Sequence, residues 1–204
     1  MRPVFSNPRK REARRWWIER ARDLLDVDQL GPTDLIVTLG GPQADQTGVF
    51  NLNAEVWDLV GREGIAQAPQ IICVEQDRER FEINQQIAPG CHHVHAELSS
   101  FLSTAEIRTK LNGLVRIINA DQCIGPQRPG AFDAIIEASR YRGPLVVVGN
   151  FVRHAPRTLL AEHKVSDFIP EQLPPPIDSL IYDGFSGVQM EQCLWFIPGQ
   201  ENKS

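Results

Sequence analysis

The chain has 204 residues, 42% of them hydrophobic and 23% charged, with a formal net charge of −5. Such a length and composition suit one α/β domain, alone or with a short appendage, built around a single core. The acidic balance argues against a polyanion binder as a whole. No apolar stretch approaches the roughly 20 residues needed to span a bilayer, and the N-terminus lacks the apolar centre of a secretory signal.

The charge is unevenly placed. Residues 1–22 hold eight arginines and lysines against Glu12 and Glu19, a net of +6, so the remainder carries −11. Asn7 and Pro8 mark a helix start, and Ala13, Trp16, Trp17, Ala21, Leu24 and Leu25 fall at helical spacing among arginines. The spacing predicts a basic amphipathic helix over 9–25, within an N-terminal segment 1–29. Either Trp16 or Trp17 docks it on the domain, or residues 9–22 contact a nucleic acid or another acidic partner. The basic head and the acidic body are expected to face different surfaces.

Gly31-Pro32 breaks the chain, and residues 34–39 read as a buried parallel strand ended by Gly40-Gly41-Pro42. Asn53 is a cap for a helix over 54–62. Residues 70–74 form the second strand and 78–87 the next helix, closed by Pro89-Gly90. A short strand over 93–98 precedes a helix over 99–111, capped by Ser99 or Ser100. Strand four covers 114–119, a helix 129–140, and strand five 145–149. A helix interrupted at Pro156 is expected over 152–164. After Pro174-Pro175-Pro176 the pattern changes to two strands, 179–182 and 192–197, joined only by the turn-rich 183–187, which implies an antiparallel pair. Residues 199–204 are expected to fray.

Cys73, Cys91, Cys123 and Cys193 are scattered with no C-x-x-C pair, as buried reduced thiols of a cytoplasmic protein would be. Cys91, His92, His93 and His95 lead into a strand, where alternate side chains diverge. A closed zinc site needs four converging ligands, so no metal is expected there.

The second strand runs directly into Glu75-Gln76-Asp77. An acid at the carboxyl end of a strand in a doubly wound sheet is placed to take the two hydroxyls of a nucleoside ribose. Asp77 is the alternate acid, or the cap of the helix that follows.

Five strand–helix units followed by an antiparallel pair resemble the class I S-adenosylmethionine-dependent methyltransferases, over roughly residues 30–198. The resemblance implies a doubly wound, seven-stranded α/β sheet in the order 3-2-1-4-5-7-6 with strand seven reversed, and S-adenosylmethionine as cofactor. It places Thr38, Gly40 and Gly41 in the cofactor loop, although this chain has neither the family's usual acid near Thr38 nor its G-x-G spacing. Glu75, with Gln76 beside it, stands at the ribose position, and Glu97 where the adenine amino group is met. Asn119-Ala120-Asp121-Gln122 ends strand four, where the family keeps catalytic residues. The resemblance thus implies Asn119 at the cofactor and Asp121 as general base. Val148-Gly149-Asn150-Phe151 resembles the turn after strand five in small-molecule O-methyltransferases. Asn150, Arg153 and His154 are expected at the same cleft, His154 as the group that titrates near neutrality. The implied activity is methyl transfer to a small-molecule hydroxyl or a nucleic acid. The alternative is a degenerate methyltransferase fold that serves as a nucleic-acid- or protein-binding module. G-x-G-x-x-G is missing after strand one, which disfavours a nicotinamide enzyme.

Overall fold

A computed structural model describes residues 8–25, 31–39, 70–87, 90–154, 164–184 and 188–198. Its strands are β1 (Leu35–Leu39), β2 (Gln70–Glu75), β3 (His92–His95), β4 (Val115–Ile124), β5 (Leu145–His154), β6 (Asp178–Asp183) and β7 (Gln189–Ile197). They form one seven-stranded sheet in the order β3-β2-β1-β4-β5-β7-β6. β1 to β5 are mutually parallel, while β7 runs antiparallel to both β5 and β6. The expected topology is therefore present.

The central strands are continuous apolar runs because both faces of the sheet are covered. On one face Leu35, Val37, Ile72, Val74, Leu145, Val147 and Trp195 pack with two short helices, α3 (Leu98–Ser103) and α5 (Asp133–Ala138). On the other face Ile36, Ile117, Val146, Val148 and Leu194 pack with helix α1 (Pro8–Leu24). Ala13, Trp17, Ile18, Ala21 and Leu25 are its buried stripe, the helical period laid against the sheet. Helix α2 (Arg78–Ile87) follows β2 and sets Phe81 against His95, with ring centroids 5.2 Å apart. Helix α4 (Ala105–Leu111) follows α3.

The basic helix thus docks on the domain, and two of its arginines serve that docking. Arg9 bonds to Asp183 and Arg20 Nε donates to Asp178 Oδ2 at 2.7 Å. Both acids lie on the edge strand β6. Part of the opposite charge of head and body thus meets at the α1–β6 contact.

Several element boundaries also differ. The single helix expected over 99–111 is two, broken at Thr104, whose extended backbone (φ −61°, ψ 121°) ends α3 and starts α4. Neither serine caps α3; Glu97 does, because its longer side chain curls back over the first turn. The helix expected over 129–140 is confined to α5, after a turn in which Gly130 takes a left-handed φ of 80°.

β5 does not turn after Gly149 but continues to His154, held by the antiparallel ladder with β7 as far as Gln189. A Cβ at position 149 would lie 2.9 Å from the Phe151 ring and 3.0 Å from Ile135 Cδ1. That glycine therefore admits close packing by α5 rather than a turn. Of the cysteines, Cys73, Cys91 and Cys193 are buried as expected, but Cys123 is exposed. Burial pushes the Cys91 and Cys193 thiols up. No described helix is long and apolar enough to cross a membrane. Gly40, Gly41, the helix expected over 54–62 and the tail 199–204 lie outside the described residues, as does most of 155–164.

Candidate functional site

Side chains alternate between faces along a strand, so the row under α1 can be followed outward toward the carboxyl ends of β1 to β5. Ile36 leads to Thr38, Ile117 to Asn119 and Asp121, and Val146 to Val148 and Asn150. On β7, Leu194 leads back to Gln192, and on β6 Tyr182 packs with Ala13 of α1. The face is apolar beneath Trp17 and turns polar within one or two steps. Thr38, Asn119, Asn150 and Gln192 are all buried polar groups there.

Two of these residues meet a third. Asn150 Nδ2 donates to Asp121 Oδ1 at 2.7 Å. The Tyr182 hydroxyl lies 2.9 Å from Asn150 Nδ2 and 3.1 Å from its Oδ1. An ionised carboxylate only accepts, which sets the amide with Nδ2 toward Asp121. Cys123 Sγ donates to the same Asp121 oxygen at 2.7 Å, from a backbone in the left-handed region (φ 51°) that a residue with a Cβ rarely adopts. Burial, and then the Asp121 charge, push the Tyr182 phenol far up, against the opposing Asn150 bond and the Arg14 charge. The phenol stays protonated and works as a hydrogen-bonding anchor. Strand reasoning brought Asp121 and Asn150 to one cleft, and the structure joins them; it missed Tyr182 and Cys123. The missed signal was a tyrosine on an edge strand, at a position facing the core.

Arg153 does not join this group as expected. Arg153 alternates to the opposite face, where Nε lies 3.4 Å from Glu191 Oε2. His154 is the last residue of β5, opposite Gln189, and its side chain lies outside the described set.

At the other side of the site Glu75 is 8% exposed. Its Oε1 accepts from the Asp77 backbone N–H at 2.9 Å. Asp77 caps α2, with Oδ1 accepting from Arg80 N at 2.9 Å. The alternate acid is thus engaged in the helix, and Glu75 is the carboxylate at the sheet edge. Gln76 is exposed, and its carbonyl accepts from His95 Nε2 at 3.0 Å, which places the ring proton on Nε2.

Glu97 accepts from Ser99 N at 3.0 Å through Oε1, and from Ser99 Oγ at 2.5 Å and Ser100 N at 2.7 Å through Oε2. Partial burial raises the Glu97 carboxyl, but these bonds together outweigh it and leave the pKa below the usual range. Thr38 Oγ1 receives Asn119 Nδ2 at 3.3 Å across the β1–β4 ladder. A carbonyl, Asn119 Oδ1, is buried and meets no donor among the described residues, and so is Gln192 Oε1. Those residues also contain no group of three or more His, Cys, Asp or Glu able to hold a metal.

The structure superposes on a candidate RNA methyltransferase from Pyrococcus horikoshii with a TM-score of 0.55 and 14% identity, over 98% of this chain and 92% of that one. A hypothetical protein of Thermus thermophilus aligns at TM-score 0.51 and 12% identity, over 95% and 90% of the two chains. The fold is that of the class I methyltransferases. A Thermoplasma acidophilum protein aligns at TM-score 0.51 and 13% identity, over 98% of this chain and 92% of its own. No protein-family model matches the chain, and no curated protein matches it in sequence. At these identities the likeness is one of fold. In that fold Thr38, Glu75, Asn119, Asp121 and Asn150 all sit toward the carboxyl ends of the parallel strands, the edge at which doubly wound sheets bind ligands.

Proposed function

We propose that this chain binds S-adenosylmethionine along the carboxyl ends of β2, β1 and β4 and transfers its methyl group to an acceptor seated beside Asp121. The observation that carries this reading is Glu75. It is a buried carboxylate at the end of β2, with Oε1 on the Asp77 N–H and no donor to Oε2 among the described residues. That leaves an acceptor oxygen for a pair of ribose hydroxyls. Two strands along the same edge, the buried, undonated Asn119 Oδ1 fits a ligand that brings N–H groups. Thr38, Gly40, Gly41, Gln76, Glu97 and Asn119 complete the cofactor set in this reading, with Glu97 doubling as the α3 cap.

When bound, the sulfonium supplies an already activated methyl group. The chain's own part is then alignment of the acceptor and removal of its proton. Asp121 is the group that takes that proton, oriented by Asn150. His154 lies at the end of the same strand. The acceptor is a small-molecule hydroxyl or a nucleic acid. Exposed Arg15 and Arg22 on α1 favour the polyanion, because Ala13 and Tyr182 put that helix next to the Asp121 cluster.

Isothermal titration with S-adenosylhomocysteine tests the reading. Binding in the micromolar range is expected, weakened about tenfold or more by Glu75→Ala, equivalent to about 1.4 kcal/mol. Silence at millimolar ligand would remove the cofactor. A second reading, a module that binds nucleic acid without chemistry, rests on the same exposed arginines. It predicts RNA retention that Arg15→Glu with Arg22→Glu abolishes, in a protein silent toward S-adenosylhomocysteine.

A further inference from the structure

Thr38 and Asn119 stand opposite each other across the β1–β4 ladder. The Thr38 hydroxyl has one hydrogen, and it is directed to the Leu39 carbonyl at 3.4 Å. The hydroxyl oxygen can therefore only accept from Asn119, and it receives Nδ2 at 3.3 Å. That sequence of bonds fixes the amide orientation, with Nδ2 toward β1 and Oδ1 turned away from it. Oδ1 is left buried without a donor among the described residues, in a side chain 8% exposed. An undonated buried carbonyl has lost its water without compensation, and such groups in native proteins call for a partner that completes them.

The sheet order says which partner suits it. β1 lies between β2 and β4, so Glu75 and Asn119 are on strands about 10 Å apart. With a ribose at Glu75 and the base toward Glu97 after β3, the remaining arm of S-adenosylmethionine points toward β4. That arm is the amino-acid chain, and its hydrogen-bond donor is the α-ammonium. A carboxylate at the end of β1 would take that charge directly, but position 38 is threonine.

We propose that Asn119 Oδ1, held in place by Thr38, receives the α-ammonium of the cofactor. The inference rests on the cofactor reading above. Asn119 is the contacting residue and Thr38 the positioning one. Binding of the amino-acid arm then depends on a dipole, not on an ion pair.

Two probes separate this role from a general one. S-Adenosylhomocysteine carries the ammonium; 5′-methylthioadenosine keeps the nucleoside and thioether but has no amino-acid arm. Titration of the full chain with each is expected to show that Asn119→Leu weakens S-adenosylhomocysteine about 10- to 100-fold, the range for a hydrogen bond to a charged group. Its affinity for 5′-methylthioadenosine should stay within about twofold. Asn119→Asp keeps the shape and adds charge, so it should tighten S-adenosylhomocysteine alone. It also decides the matter if the leucine variant fails to fold. Equal effects on both ligands, or none on either, overturn the assignment. If neither ligand binds the unmodified protein, the cofactor reading itself falls, which is a different result.

Discussion

Asn150, on β5, donates its side-chain amide to the Asp121 carboxylate on β4 across 2.7 Å, and the same amide meets the Tyr182 hydroxyl of β6. A carboxylate at the end of one parallel strand is thus aimed by a residue from the next strand and by one from the terminal antiparallel pair. Replacing Asn150 by leucine keeps its bulk and removes both bonds. Methyl transfer from labelled S-adenosylmethionine should fall about 100-fold, the scale expected when a reacting group is misplaced by about 1 Å. Affinity for S-adenosylhomocysteine should not change if Asn150 serves the acceptor, as proposed. An equal loss of cofactor binding would show that the residue supports the whole edge and does not aim Asp121.

Tyr182 contributes to the same chain from farther out. Its phenol is held protonated by burial and by the Asp121 charge, so Tyr182→Phe removes a hydrogen bond and no charge. A stability loss of about 1 kcal/mol is expected in urea unfolding, with a smaller drop in methyl transfer than for Asn150→Leu. If Tyr182→Phe and Asn150→Leu reduce turnover equally, the anchor is as important as the residue it holds. Tyr182 would then not be secondary to Asn150.

How much of this was legible in the sequence follows from the range of each interaction. The strand order could be read because each buried strand is a run of apolar residues bounded by glycine, proline or polar turns, as in 34–39 and 145–149. The split of 98–111 could not, since no glycine or proline marks the break at Thr104, and its extended backbone there shows only in the fold. β4 and β5 outlast their apolar runs because a neighbouring strand continues to pair with them. Asp121 stands out in the sequence by its place at a strand end. Its partners are 29 and 32 residues apart along the chain from Asp121 to Asn150 and from Asn150 to Tyr182, and only the folded sheet brings them together. Position 38 is different again: the sequence showed an acid missing, and the orphaned Asn119 carbonyl across the ladder became visible only in the structure.

Glu97 should make stability depend on acid. The Ser99 and Ser100 bonds exist for the carboxylate form and hold its pKa below the unfolded value, despite the opposing effect of partial burial. A lowered folded-state pKa contributes stability that is present above the unfolded pKa, near 4.3 for a model glutamate, and is lost as pH falls through the folded one. Glu97→Gln should therefore lower the urea midpoint at pH 7 and flatten its decline below about pH 4.5. Loss of the cap is worth about 1 kcal/mol. Parallel acid limbs in the two proteins would rule Glu97 out as a contributor.

Helix α1 is the strongest test of how the N-terminus is used. Trp17, Ile18, Ala21 and Leu25 are buried over Ile36, Ile117, Val146, Val148 and Leu194, Ala13 packs with Tyr182 and Met190, and Arg9 and Arg20 are tied to β6. Removing residues 1–25 would strip one face of the sheet, so any loss of ligand or nucleic-acid binding on truncation would follow from lost structure. Trp17 offers a graded version. Trp17→Ala should cost about 3–5 kcal/mol, the range for a large buried aromatic. Trp17→Phe should cost much less, because the indole N–H has no partner among the described residues and its removal relieves an unpaired donor. Urea unfolding with a hydrophobic dye checks both, with the truncated chain expected to bind dye and to lose its cooperative transition. A truncated protein with an unchanged midpoint would make α1 an appended binding element after all, and would return its arginines to that role alone.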